Sequence, residues 1–363
     1  MKKILILMCA LIIVVCSMLI VTSCQKEDWG VGDGDPSLLE YRLSDDKTYY
    51  KVTGIGDYVG EHLVIPEEYC GQPVKEIGSE VFSGYYHFVG PVWTLELAAP
   101  WLKALTIPNS VTKIAEGSFT NSNIERIYIG SGVSDIQEHA FSATEKLTEI
   151  NVSKDNQSYM SKDGVLYSKN GTKLIKYPEN KDKETFRIPN KVVVIAEYAF
   201  AGANNLIKVK MRNKVTNIGK FAFNRARIEE IKMPDSVESL GASAFEGCSL
   251  LKKVNLSKGL TEIEQATFLN CDRLEEIIIP KSIKTIRAAA FFCESLTKVF
   301  YEGDENGLTN IKIDMEYYDE HGQMTVLPPF LDVSQFYGYS KKKPSDNANY
   351  WHYVFGKPTV WEN

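Results

Sequence analysis

The chain has 363 residues, 44% of them hydrophobic and 24% charged, with 47 Asp and Glu against 41 Lys and Arg for a net charge of −6. That apolar content is enough for a large core and excludes a disordered chain. The acidic balance argues against nucleic acid, which requires a basic face.

At the N-terminus Lys2 and Lys3 precede an apolar run from Ile4 to Ile20, interrupted by Ser17. The run is long for a signal-peptide core and short for a membrane span, so its ending decides. It ends in Val21-Thr22-Ser23-Cys24, which resembles the lipobox of bacterial lipoproteins; an uncleaved anchor helix is the alternative. The resemblance implies a signal peptide over residues 1–23, acylation of Cys24, and membrane contact through that lipid alone. Gln25 to Asp28 then resembles the surface-export signal of outer-membrane lipoproteins, an ordinary solvated linker being the alternative. It implies an outer-membrane lipoprotein exposed on the cell surface. Residues 24–38, with three glycines in "WGVGDGDP", read as a flexible tether.

From residue 39 an internal period dominates. Phe82, Phe119, Phe141, Phe200, Phe223, Phe245, Phe268 and Phe291 each have an Ile or Leu five residues earlier: Ile77, Ile114, Ile136, Ile195, Ile218, Leu240, Ile263 and Ile286. Each of those has an apolar partner three residues before it. The phenylalanines recur every 22 or 23 residues, except for gaps of 37 and 59 that mark insertions of about 14 and 36 residues. In the clearest unit, "LEEIIIPKSIKTIRAAAF", the period-2 segment predicts a short strand that proline ends, as at Pro108, Pro189, Pro234 and Pro280. Gly130, Arg212 and Ser257 replace that proline, so those turns are expected to differ slightly. The segment leading to the phenylalanine has near-helical spacing and predicts one helical or 3₁₀ turn. A unit this small cannot bury its apolar edge alone, so stacked units share one core and pair their strands in parallel, as in a solenoid.

The pattern I-P-x-x-V-x-x-I-x-x-x-A-F with a cysteine soon after resembles the BspA-like, treponemal-type leucine-rich repeats of bacterial surface proteins, over about residues 60 to 300. The resemblance implies an α/β solenoid: a right-handed leucine-rich repeat with parallel strands on the concave face and short helical or 3₁₀ turns on the other. The solenoid spans residues 39–300, with a hairpin insertion at about 153–187, and residues 301–363 carry no repeat register and form an aromatic-rich C-terminal cap. Asp163-Gly164 and Asn170-Gly171 mark tight turns within the insertion. Cys248, Cys271 and Cys293 follow their phenylalanines and should stack near the core. Buried free thiols and a Cys248–Cys271 disulfide are both open.

No catalytic constellation emerges. His62, His87, His139, His321 and His352 are scattered, with no H-E-x-x-H, no G-x-S-x-G and no phosphate loop. The chain reads as a non-enzyme without cofactor or metal. What the strands offer is a surface. The outward column Lys208, Glu230, Lys253, Glu276, Lys298 alternates in sign and pins the register. Its neighbour contains Tyr128, Lys210, Lys232, Ile278 and Phe300 and ends apolar, a contact-site candidate unless the C-terminal region covers it. Tyr85, Tyr86, Trp93 and Trp101 in the first insertion, and Trp351 in the tail, are further ligand-binding candidates, solenoid capping being the alternative for the tail. The expected role is adhesion of a monomer to host proteins or other cells; the second is glycan binding beside an outer-membrane uptake system.

Overall fold

The computed structural model describes residues 32–89, 92–303, 307, 310–319, 322–330, 335–340, 350–354 and 357–361. Short β-prone segments recur in it as parallel strands stacked coil on coil, giving a β-solenoid of about eleven turns. Segments such as Lys208–Lys210 and Glu230–Lys232 bury only their middle residue, so alternation alone aims Val209 and Ile231 at the core and the charged flanks outward.

The long strands form two parallel runs. His62–Val64, Ala104–Ile107, Arg126–Ile129 and Glu149–Val152 make the first. Thr185–Arg187, Lys208–Lys210, Glu230–Lys232, Lys253–Asn255, Glu276–Ile279, Lys298–Tyr301 and Gln335–Tyr339 make the second. Tyr350–Val354 adds in parallel, and Lys357–Val360 turns back antiparallel. At the next corner, two-residue strands such as Asn217–Ile218 and Ser239–Leu240 also pair in parallel, carrying the Ile and Leu column.

The segment around each phenylalanine is not a helical turn, which corrects the α/β expectation. Successive N–H groups point alternately to the next coil and to their own. Phe221, Phe223 and Arg225 donate to the carbonyls of Ala242, Ala244 and Glu246 in the following coil. Between them, Ala222, Asn224 and Ala226 donate back three residues, to Gly219, Phe221 and Phe223. The 3₁₀-type bonds are thus present at every second residue, while the rest extend the inter-coil ladder. Five residues are too few to nucleate a helix, and the neighbouring coil satisfies the donors instead. The alternation requires positive φ two residues before the phenylalanine in all eight units: Glu80, Gly117, His139, Tyr198, Phe221, Ser243, Ala266 and Ala289.

The phenylalanines form the predicted stack. Ring centroids are 4.7 Å apart for Phe200–Phe223, 4.9 Å for Phe223–Phe245 and 5.3 Å for Phe245–Phe268 and Phe268–Phe291, with planes within 6° of parallel. Two further rings belong to it. Tyr177 stacks on Phe200 at 5.2 Å, and Phe330 on Phe291 at 5.3 Å. The gap between Phe141 and Phe200 therefore holds a complete ladder position, not a single long insertion. Residues beyond 300 likewise keep the register, since Lys312–Ile313, Phe330 and Gln335–Tyr339 build one more coil.

The irregular spacings are hairpins added at three different corners of a coil. Gly84–Val89 with Val92–Leu97 follows the phenylalanine arc, Tyr159–Lys162 with Val165–Ser168 follows a long strand, and Glu316–Tyr318 with Met324–Val326 follows a short strand. The middle one is an internal plug. Leu166 packs into the N-terminal core, while Val165 and Tyr167 pack into the C-terminal core. Its turn has Asp163 and Gly164 at φ 51° and 74°, the two-residue hairpin geometry expected there. Buried Asn156 directs the entry: its amide donates to the carbonyls of Gly130 and Val133 at 2.9 Å, and its side-chain oxygen accepts from the amides of Ser158 and Tyr159. Of the three turns lacking proline, Arg212 and Ser257 still accept from the residue three on, as Pro189 does, whereas the Gly130 carbonyl takes Asn156 instead.

The segment read as a tether is docked from Asp33 onward. The Asp33 carboxylate accepts the amides of Glu61 and His62 at 3.1 and 2.9 Å, bonds that hold its pKa down. Cys24 and the rest of the signal-like N-terminus lie outside the described residues.

Candidate interaction surface

The outward face of the second sheet positions most of the residues singled out from the sequence. Its first column is ionic: Lys208 pairs with Glu230, which lies opposite Lys253, and Glu276 lies opposite Lys298. These exposed pairs contribute about 0.2–1 kcal/mol each. The adjacent column runs Arg187, Lys210, Lys232, Asn255, Ile278, Phe300 and Tyr337, each directly opposite the next.

That column divides in two. At its C-terminal end Phe300 is only 2% exposed, which corrects its reading as a surface contact. The C-terminal strand pair folds over this face and places Trp351, fully buried, 5.3 Å from the Phe300 ring. The indole N–H donates to the Tyr301 carbonyl at 2.9 Å, and Tyr337 stacks on Phe300 at 5.3 Å. Phe300, Tyr337 and Trp351 thus form a satellite core, with Ile278 half-buried at its rim. Trp351 is a cover, not a contact residue. At the other end Arg187, Lys210, Lys232 and Asn255 stand exposed.

The remaining candidates are dispersed. Tyr128 is half-buried on the first sheet, beyond the plug. Tyr85 is 55% exposed on the first hairpin, where its hydroxyl bonds Glu96 and its pKa is raised. The side chains of Tyr86 and Trp93 lie outside the described residues. Trp101 packs half-buried against the N-terminal core.

The cysteines behave as small core residues. Cys248, Cys271 and Cys293 are free and buried, and burial pushes the Cys248 and Cys271 thiols well up. Cys70 is exposed. Among the described residues no group of His, Cys, Asp and Glu side chains could hold a metal ion, and no helix is long and apolar enough to cross a membrane. One buried ion pair escaped sequence reasoning. Lys176 and Glu179 meet at 2.9 Å just after the plug hairpin, and Glu179 also accepts the Thr144 amide at 3.1 Å.

Coils of short parallel strands sharing an Ile/Leu column, an aromatic ladder and an outward sheet face define a leucine-rich-repeat-like solenoid. The chain belongs to the BspA type leucine-rich repeat family, whose profile matches residues 100–183 and 176–297 in six copies. Among solved structures, a leucine-rich repeat protein from Eubacterium ventriosum is 21% identical, aligns over 74% of this chain and 85% of its own, and superposes with a TM-score of 0.51, which supports the fold. A leucine-rich cell surface protein from Faecalibacterium prausnitzii is 20% identical over 79% of this chain and 99% of its own, with a TM-score of 0.41. The leucine-rich repeat protein of T. pallidum is 23% identical over 66% and 88%, with a TM-score of 0.36. None of the curated proteins is similar in sequence to the chain.

Proposed function

We propose that this protein is a lipid-anchored binding module on the cell surface, acting in adhesion through the outward face of its second sheet. The observation that carries the reading is the exposed stretch Arg187, Lys210, Lys232 and Asn255, framed by the plug on one side and the Trp351 cover on the other. Parallel strands hold these side chains at a fixed spacing of ~4.8 Å, which gives an extended ligand a rigid template. The lipobox-like Cys24 supplies the membrane attachment and the repeats supply reach. The cover removes Phe300 and Trp351 from any ligand and leaves polar and charged groups as the contacts.

The test is an array of host matrix proteins and glycans probed with the full-length chain and with Lys210→Glu. A hit abolished by Lys210→Glu, with the melting temperature unchanged, supports the reading. Hits indifferent to the sheet face overturn it. Release of the protein from membranes by Cys24→Ala tests the anchor separately.

A further inference from the structure

We infer that the column Arg187, Lys210 and Lys232 is a binding site for an extended anionic polysaccharide carrying one carboxylate per sugar. This rests on the binding reading above and names the ligand class of that same face. The three cations lie directly opposite one another on successive strands, and all three are exposed. Like charges directly opposite each other weaken a sheet. The neighbouring column avoids that cost by alternating Lys208, Glu230 and Lys253, and its Glu230 is engaged by Lys208. In a chain of net charge −6, three cations in line are a local reversal of sign. A charge on a first strand can guard a sheet edge, which would account for Arg187. Lys210 and Lys232 lie on interior strands, where that reason fails.

Spacing selects among anionic ligands. The column runs across the strands, so its charges repeat every ~4.8 Å. An extended polypeptide presents same-face side chains every two residues, ~6.6–6.8 Å, and falls out of step within three charges. A pyranose chain advances by nearly one strand spacing per sugar and turns alternate sugars to opposite sides, so same-face carboxylates of a polyuronate fall about two strand spacings apart, opposite Arg187 and Lys232 with Lys210 between them. Arg187 offers a fork suited to a carboxylate, and the lysines offer point charges along the chain. The half-buried Ile278 and the aromatic cover end the site, and the plug ends it on the other side.

The full-length chain in neutral detergent is titrated with polygalacturonate and with the same polymer fully methyl-esterified. The acid form should bind, more weakly as salt rises, and the ester should not. Lys210→Ala/Lys232→Ala should weaken binding at least tenfold without lowering the melting temperature, because in-register repulsion is relieved. The control Lys173→Ala/Lys281→Ala, which removes two exposed lysines elsewhere, should leave it unchanged. Equal binding of the ester, equal loss in the control pair, or equally tight binding of polyglutamate or a single-stranded oligonucleotide overturns the inference. So does silence toward every polyanion. If polyanions fail while a Lys210-dependent ligand appears on the array, this inference falls and the binding reading stands.

Discussion

The Sγ of Cys271 donates to the carbonyl oxygen of Phe245, one coil earlier, at 3.2 Å. Cys248 does the same to Phe223 at 3.0 Å, and Cys293 to Phe268 at 2.8 Å. Each of these carbonyls also accepts an amide from its own coil, so the thiol serves the second lone pair of an oxygen that water cannot reach. The cysteine that trails the repeat motif is therefore a small apolar filler that ties one coil to the next.

That role predicts inert thiols. In the native protein, alkylation followed by peptide mapping should label Cys70 and spare Cys248, Cys271 and Cys293 until denaturant is added. Because burial raises the folded pKa of Cys248 and Cys271, folding keeps their protons on. Their contribution is fully present below the unfolded thiol value of about 8.5 and is lost as pH rises above it. Urea midpoints should be flat through pH 8 and fall beyond pH 9. A native-state disulfide between Cys248 and Cys271 would contradict this.

The left-handed positions predict opposite effects of glycine. Gly117 and Glu80 occupy the same place in successive coils, at φ 64° and 59°, and a Cβ on Gly117 would meet the Glu80 Cγ at 3.5 Å and the Thr120 Oγ1 at 3.6 Å, both ordinary contacts. Gly117→Ala should therefore cost about 1 kcal/mol from backbone conformation alone, while exposed Glu80→Gly should gain up to about 1 kcal/mol. Equilibrium unfolding of the two variants checks both signs.

Tyr177 holds a ladder position with its hydroxyl buried and no protein group within hydrogen-bond reach. Tyr177→Phe should leave stability unchanged or raise it by about 1 kcal/mol, since a stranded hydroxyl is removed and the ring is kept. A loss of stability would show that the hydroxyl is partnered.

Lys176→Met should cost about 3–5 kcal/mol, because it leaves the Glu179 carboxylate buried without its cation. Lys176→Met/Glu179→Gln should recover most of that loss, as the amide oxygen can still accept from Thr144. A double-mutant cycle measures the coupling.

The stack was legible in the sequence wherever its residue type repeated. The ladder phenylalanines, the Ile and Leu column before them and the alternating Lys208–Glu230–Lys253 column are where periodicity puts them. Tyr177 was missed because "IKYPEN" carries neither Ala-Phe nor standard spacing, and Phe330 because a hairpin separates it from Ile313. The arc was misread as helical because its left-handed residues include Tyr198, Phe221 and Ala266, types that give no glycine signal. Of the candidate surface, the exposed lysines could be read from alternation alone. That the C-terminal region could cover the apolar end of the column was an open alternative in the sequence, but the covering residue was not legible, since Trp351 lies far along the chain in a segment without the repeat pattern. The alternating aromatics of "QFYGY" and "YWHYV" were the available sign of further strands.

Stacked aromatic rings from Tyr177 to Phe330 join the coils of the C-terminal core. Phe245 is fully buried between Phe223 and Phe268, at 4.9 and 5.3 Å. Urea unfolding of Phe245→Ala measures this joining most directly, with Tyr128→Ala, half-buried on the outward face, as the reference. The account predicts a loss of about 3–5 kcal/mol for Phe245→Ala and of no more than about 1 kcal/mol for Tyr128→Ala. Equal, small effects at both positions would contradict the shared core.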